Sequence, residues 1–130
     1  MKYNALIPEF IVNDMELSRD FYMDLLGFKV EYERPEDKFV FLSCGEAQLM
    51  LEEATPEEKA EMSQPLGMGR TNFSLSVANV EEIYARCQKA NYPIKSDLEV
   101  RQFRVDDRFI QDKEFSILDP DGYFWRVVGE

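Results

Sequence analysis

The stretch Ala5-Leu6-Ile7-Pro8-Glu9-Phe10-Ile11-Val12-Asn13-Asp14 decides how this chain reads, because the pattern changes at its end. Residues 5–12 are apolar and β-favouring, as a strand requires, and Asn13-Asp14 then offers side-chain oxygens for a helix N-cap. From Met15 the period turns helical. Leu17, Phe21 and Leu25 form one row and Met15, Tyr22 and Leu26 another, which predicts a helix over residues 15–26. Gly27 closes it, since a residue just past a helix often needs a positive φ. Three strand-like segments follow, at 28–34, 39–43 and 47–52, separated by Pro35-Glu36-Asp37 and Cys44-Gly45-Glu46.

The second half repeats this order. A strand over 71–77 leads to Asn79 as N-cap, and a helix runs through Ile83, Tyr84 and Cys87 to about Ala90. Asn91 ends it, and Pro93 prevents its return. Strands are expected near 94–103, 114–118 and 123–128, with Asp119-Pro120-Asp121-Gly122 as a hairpin turn between the last two. Each half therefore reads β-α-β-β-β. The expected fold class is α+β: two βαβββ repeats forming a cupped mixed sheet, with the helices outside. The expected organisation is a single domain, with modules at about 1–53 and 70–130. A polar connector over 54–69 carries a short helix near Pro56–Met62.

Composition narrows the function. The chain has 130 residues and no histidine, which removes Ser-His-Asp and Cys-His catalysis and every imidazole-ligated metal. A metal would need an all-oxygen or oxygen-and-thiolate shell. Cys44 and Cys87 are not clustered and read as reduced thiols in apolar stretches. The net charge of −11 disfavours phosphate backbones and attracts cations, so nucleic acid is not an expected partner. The charge is uneven: residues 1–65 hold 15 acids and 6 bases, residues 66–130 hold 11 and 9. No apolar run approaches the ~20 residues of a membrane span, and the N-terminus lacks a signal-peptide layout, so a cytoplasmic location is expected.

Two motifs carry a family resemblance. Phe10-Ile11-Val12-Asn13-Asp14 with Ser18, Phe21-Tyr22 and Leu25-Leu26-Gly27-Phe28, and Glu114-Phe115-Ser116-Ile117-Leu118-Asp119-Pro120-Asp121-Gly122-Tyr123, resemble the two half-signatures of the vicinal-oxygen-chelate group. That group includes glyoxalase I, extradiol dioxygenases and the bleomycin-resistance proteins. The resemblance implies that the positions used by its metal enzymes fall at Ile7, Met50, Asn72 and Arg126, a set unsuited to a divalent metal. It therefore points to the metal-free, bleomycin-resistance branch, with no cofactor and no metal. Pro8 fits that branch, where the first strand carries a proline and an N-terminal arm crosses to the partner of a homodimer.

Strand alternation then places the candidate ligand-binding residues. Glu9 lies on the face of Ile7, Glu52 on that of Met50, Ser74 on that of Asn72, and Phe124 on that of Arg126. Apolar wall and convergent polar groups together are what ligand pockets show. If Arg126 is buried, it needs a carboxylate, Glu52 or Glu9. The resemblance adds Glu31, Tyr32 and Phe39, an acid and two aromatics suited to flat cations. It also puts the groove tryptophans of bleomycin binders at Ser74 and Gln111. The expected function is sequestration of an antibiotic, bleomycin-like, or another cationic aromatic ligand, with no catalytic residues. The alternative is a metal-independent lyase- or isomerase-like enzyme using Glu9, Glu52 or Tyr32 as acid or base.

Overall fold

The computed structural model describes residues 2–61 and 72–129. The elements run β1 (Glu9–Val12), α1 (Met15–Asp20), β2 (Lys29–Arg34), β3 (Phe39–Cys44), β4 (Ala47–Glu53), α2 (Pro56–Glu61), β5 (Asn72–Ser76), α3 (Val80–Lys89), β6 (Ser96–Val105), β7 (Arg108–Leu118) and β8 (Phe124–Gly129). They divide into two compact units, residues 1–68 with 120–122, and residues 69–119 with 123–130. Each unit carries its own four-stranded mixed sheet, ordered β1-β4-β3-β2 and β5-β8-β7-β6. In both, the first strand of the repeat pairs parallel to the last and the other pairs are antiparallel. This is the βαβββ repeat expected from the sequence.

In the first unit, one sheet face is apolar and covered. Phe10, Val12, Val40, Leu42, Leu49 and Leu51 are buried there. Asp14 caps α1 by accepting from the Leu17 amide at 3.1 Å. The α-helix stops at Asp20, earlier than the periodicity predicts, and Phe21–Leu25 form a π turn, with the Leu26 amide donating to the Phe21 carbonyl at 3.3 Å. The wider turn lets Phe21, Tyr22, Leu25 and Leu26 all face the core, where each is buried. Leu17, counted in an apolar row, is instead largely exposed. Gly27 takes φ +87°, the left-handed stop the sequence calls for. Asp121, in the Pro120–Gly122 turn of this unit, accepts from the Asn13 amide at 3.1 Å and the Ser18 hydroxyl at 3.3 Å. Burial pushes its carboxyl up, against those two hydrogen bonds.

In α2, Thr55 and Glu58 form a reciprocal capping box: the Glu58 amide donates to Thr55 Oγ1 at 3.1 Å and the Thr55 amide to Glu58 Oε1 at 2.9 Å. The helix ends at Glu61 among the described residues. The rest of the expected connector lies outside them.

The second unit packs α3 on Leu75, Phe115, Ile117 and Val127 through Val80, Ile83 and Cys87, all buried. Tyr84 meets Phe115 edge-on with centroids 5.1 Å apart. Trp125 is buried beside Phe73. Asn79 stands at the N-cap as the sequence implies, but its side chain donates to Glu82 rather than accepting from a helix amide. Two further boundaries differ. Beyond the strand ends the sequence predicts, β6 continues to Val105 and β7 begins at Arg108, with a tight turn at Asp106-Asp107 in which Asp106 has φ +56°. Because β8 pairs with β7 only over Lys113–Leu118, the outer part of this hairpin is a two-stranded ribbon. Gly129 lets β8 pass close to α3. A Cβ there would lie 2.7 Å from Val80 Cγ1 and 2.9 Å from Val80 Cβ. Gly129→Ala is therefore expected to lower stability by about 1–3 kcal/mol. Chemical denaturation checks it, and a neutral result would mean that Val80 yields freely.

Candidate functional site

On the first sheet, the face opposite α1 gathers most of the predicted residues of that half. The register aligns Glu9 with Met50 and Phe41, and Phe41 with Tyr32. The next row is Ile11, Glu52, Phe39 and Arg34. Glu9, Met50, Glu52, Tyr32 and Phe39 therefore share one face, with Phe41 at its centre.

Tyr32 stacks on Phe41 with centroids 5.3 Å apart and 11° between planes, and Tyr3 meets Phe41 edge-on at 5.4 Å. The Arg34 guanidinium lies over the Phe39 ring at 4.1 Å and over Tyr32 at 5.8 Å. A planar cation thus already rests on these rings. Phe39 itself is buried, so Tyr32 is the accessible aromatic of the expected pair.

The carboxylates behave differently from one another. Glu31 accepts from Ser43 Oγ at 2.6 Å and has Lys29 at 3.4 Å. The Ser43 hydrogen bond, foremost, holds its pKa below the usual range. It is committed within the protein rather than free for a ligand. Glu52 is the opposite case. Burial, then a hydrogen bond to Glu9 and the like charge of Glu9, raise its pKa. Among the described residues neither Glu9 nor Glu52 makes an ion pair. One edge of this face is closed by the chain's own N-terminal segment. The Asn4 amide donates to Gln48 at 2.6 Å, and Gln48 donates to the Lys2 carbonyl at 2.7 Å. The Pro8 carbonyl accepts from Met50 at 2.9 Å. The segment expected to cross to a partner bonds here within its own unit.

On the second sheet, the face opposite α3 carries Asn72 beside Phe124, and Ser74 beside Arg126, which in turn faces Ser116. A cavity of about 140 Å³ lies against Ser96, Glu99, Arg101, Glu114, Ser116, Phe124 and Arg126, and a wider cleft of about 450 Å³ shares Arg101, Glu114 and Arg126 with it and adds Ser74. Arg126 is half-buried and makes no ion pair among the described residues, so the carboxylate partner expected for a buried Arg126 is not required. Arg101 takes up the local carboxylates, Glu114 at 3.2 Å and Glu99 at 3.8 Å. Gln111 does not join this group. It sits on the outer ribbon opposite Gln102, on the other side of β7 from the Ser116 row, and is exposed. Two residues were missed. Ser116 lies in the strand expected over 114–118, where the alternation Phe115-Ser116-Ile117 puts it on Arg126's face. Phe41 lies two residues from Phe39 in the strand expected over 39–43, and strand alternation puts it on the face of Phe39.

Residues 6–127 match the profile of the Glyoxalase/Bleomycin resistance protein/Dioxygenase superfamily. The chain belongs to this superfamily. A bleomycin resistance protein of Geobacillus stearothermophilus is 28% identical over 126 residues, covering 88% of each chain. Among solved structures, TioX from Micromonospora sp. ML1 superposes with a TM-score of 0.72 at 17% identity, covering 98% of both chains. A lactoylglutathione lyase from Agrobacterium tumefaciens gives 0.63 at 20% identity, covering 98% of this chain and 95% of that one. These two likenesses establish the fold.

The metal-ligand positions that the resemblance implies are Ile7, Met50, Asn72 and Arg126. The donors present do not fit a metal. Ile7 has no donor atom in its side chain, Met50 offers only a thioether, and Arg126 carries a fixed positive charge. Among the described residues no group of three Cys, Asp or Glu converges elsewhere. No helix of the described residues is long and apolar enough to cross a membrane.

Proposed function

We propose that this protein binds and sequesters a flat, cationic, aromatic small molecule, of the kind a bleomycin-type antibiotic presents, on the helix-free face of its first sheet. One observation carries the reading: Glu9 and Glu52 crowd each other with no lysine or arginine partner among the described residues, beside the Tyr32–Phe41 stack. A cation placed there relieves the like-charge contact and gains a ring face at once, each contact worth about 0.5–2 kcal/mol. Arg34 over Phe39 is the intramolecular precedent. The name of the 28% identical relative agrees with an antibiotic as ligand.

The test is calorimetric titration with bleomycin and with ethidium as a plain cationic aromatic. Micromolar binding is expected. Glu9→Gln with Glu52→Gln should weaken it about tenfold or more, and Tyr32→Ala by about 1–3 kcal/mol. Because the Glu52 pKa is raised in the free protein, its proton must leave when a cation arrives. Affinity should therefore rise with pH through the acid range above the usual carboxylate value. Failure of both probes to bind, or binding indifferent to all three substitutions, sinks the proposal. A second reading shares the same carboxyls: a Glu52 whose pKa is raised by burial and by Glu9 suits acid–base catalysis in a metal-free lyase or isomerase step. Mass spectrometry of the recovered ligand separates the two, since sequestration returns it unchanged.

A further inference from the structure

The second unit contains a polar feature that its fold does not use. Ser116 is 5% exposed, and its hydroxyl has no hydrogen-bond partner among the described residues. A buried hydroxyl left unpaired is destabilising, so a serine held there in place of alanine needs a reason outside the packing. The strand register gives one. Ser116 lies directly across from Arg126, Ser74 lies across from Arg126 on its other side, and Ser96 lies across from Ser116. Ser96, Ser116 and Arg126 line the cavity of about 140 Å³, and Phe124 supplies an aromatic wall.

We infer that Arg126 and Ser116 form a binding site for an organic carboxylate, with the carboxylate oxygens on the guanidinium and the Ser116 hydroxyl and the apolar body against Phe124. The chemistry is complementary on each side. A guanidinium presents N–H donors in a planar fork that matches a carboxylate. The serine hydroxyl can donate a further bond to the same oxygen pair. Two acids on the cavity wall, Glu99 and Glu114, do not compete for Arg126, because Arg101 pairs with both. The four charges that line the cavity sum to zero, so selection rests on hydrogen-bond geometry rather than on net field. The site does not depend on the cation reading of the first unit.

The experiment follows amide shifts of the whole protein during titration with benzoate, and with benzamide, benzylammonium and inorganic phosphate as comparisons. Benzoate is expected to give saturable shifts at Ser116, Phe124 and Arg126, with benzamide and benzylammonium at least tenfold weaker. Phosphate, having no apolar body to lay on Phe124, should also bind at least tenfold more weakly. Arg126→Gln should reduce benzoate affinity tenfold or more, and Arg126→Lys should recover part of it. Ser116→Ala should cost threefold or more in affinity while leaving the melting temperature unchanged or higher, which a merely structural serine would not do. The proposal is overturned by absent or unsaturable benzoate shifts, by phosphate binding as tightly, by affinity indifferent to Arg126→Gln, or by a Ser116→Ala protein that melts lower and binds benzoate as before.

Discussion

Phe41→Ala is expected to destabilise the protein by about 3–5 kcal/mol, the range for truncating a buried phenylalanine. The side chain is fully buried at the centre of β3, with Met50 across one strand boundary and Tyr32 across the other. Removing it leaves a cavity beneath two aromatic neighbours, and neither can fill it alone. Tyr32 loses its stacked partner and Tyr3 its edge contact. Denaturant unfolding at neutral pH measures the cost. A loss below 1 kcal/mol would mean that the Tyr3 and Tyr32 rings collapse into the gap, and that the aromatic face is not held in place by packing.

Glu53→Gln is expected to cost about 1–3 kcal/mol at neutral pH and almost nothing in strong acid. The Glu53 carboxylate accepts from the Met15 amide at 2.9 Å and lies 3.0 Å from Lys38 and 3.2 Å from Lys59. The Met15 amide first, then Lys38, lowers its pKa from 4.5 to about 2. A carboxyl whose pKa falls on folding binds fewer protons in the folded state. Its contribution is therefore fully present above pH 4.5 and is lost as pH falls toward 2. The energy is set below the full shift because Lys38 is largely exposed and its charge is screened. Stability curves of the two proteins should converge between pH 4.5 and 2. Parallel curves across that window would assign the cost to lost packing instead.

The fold was legible because its determinants are local and periodic. The strand-to-helix change at Asn13-Asp14, its echo at Asn79, and the glycine stop at Gly27 each report on a short stretch of backbone. The π turn was not legible. Its cause is that two apolar rows, one through Phe21 and one through Tyr22, must reach the same sheet, and that is a tertiary demand. The hairpin over 104–113 was legible in principle, since Asp106-Asp107 sits between alternating segments, but its charged tip reads as loop when taken alone.

The candidate site divides in the same way. Strand parity places Glu9, Met50 and Glu52 together, and Ser74, Phe124 and Arg126 together, and parity is a property of the chain. Whether a carboxylate is free is not. Glu31 and Glu52 look equivalent in sequence, yet Ser43 occupies one while the other is left against Glu9. Nor does sequence reveal that Arg34 folds over Phe39, because that contact depends on the pairing of β2 with β3.

The ribbon formed by the outer parts of β6 and β7 has a dynamic consequence. Strands β7 and β8 nearer the core are bonded on two sides, so their amides exchange with solvent only when the unit opens cooperatively. Each outer strand has a single neighbour, and Phe103 and Phe109 on it are exposed rather than packed. Parting the tip therefore sacrifices only the ribbon's own cross-links and leaves the buried layer against α3 intact. The second unit thus has a hierarchy of openings. Its far end unzips from the Asp106-Asp107 turn as a subglobal event, at a free energy well below that of unfolding the sheet.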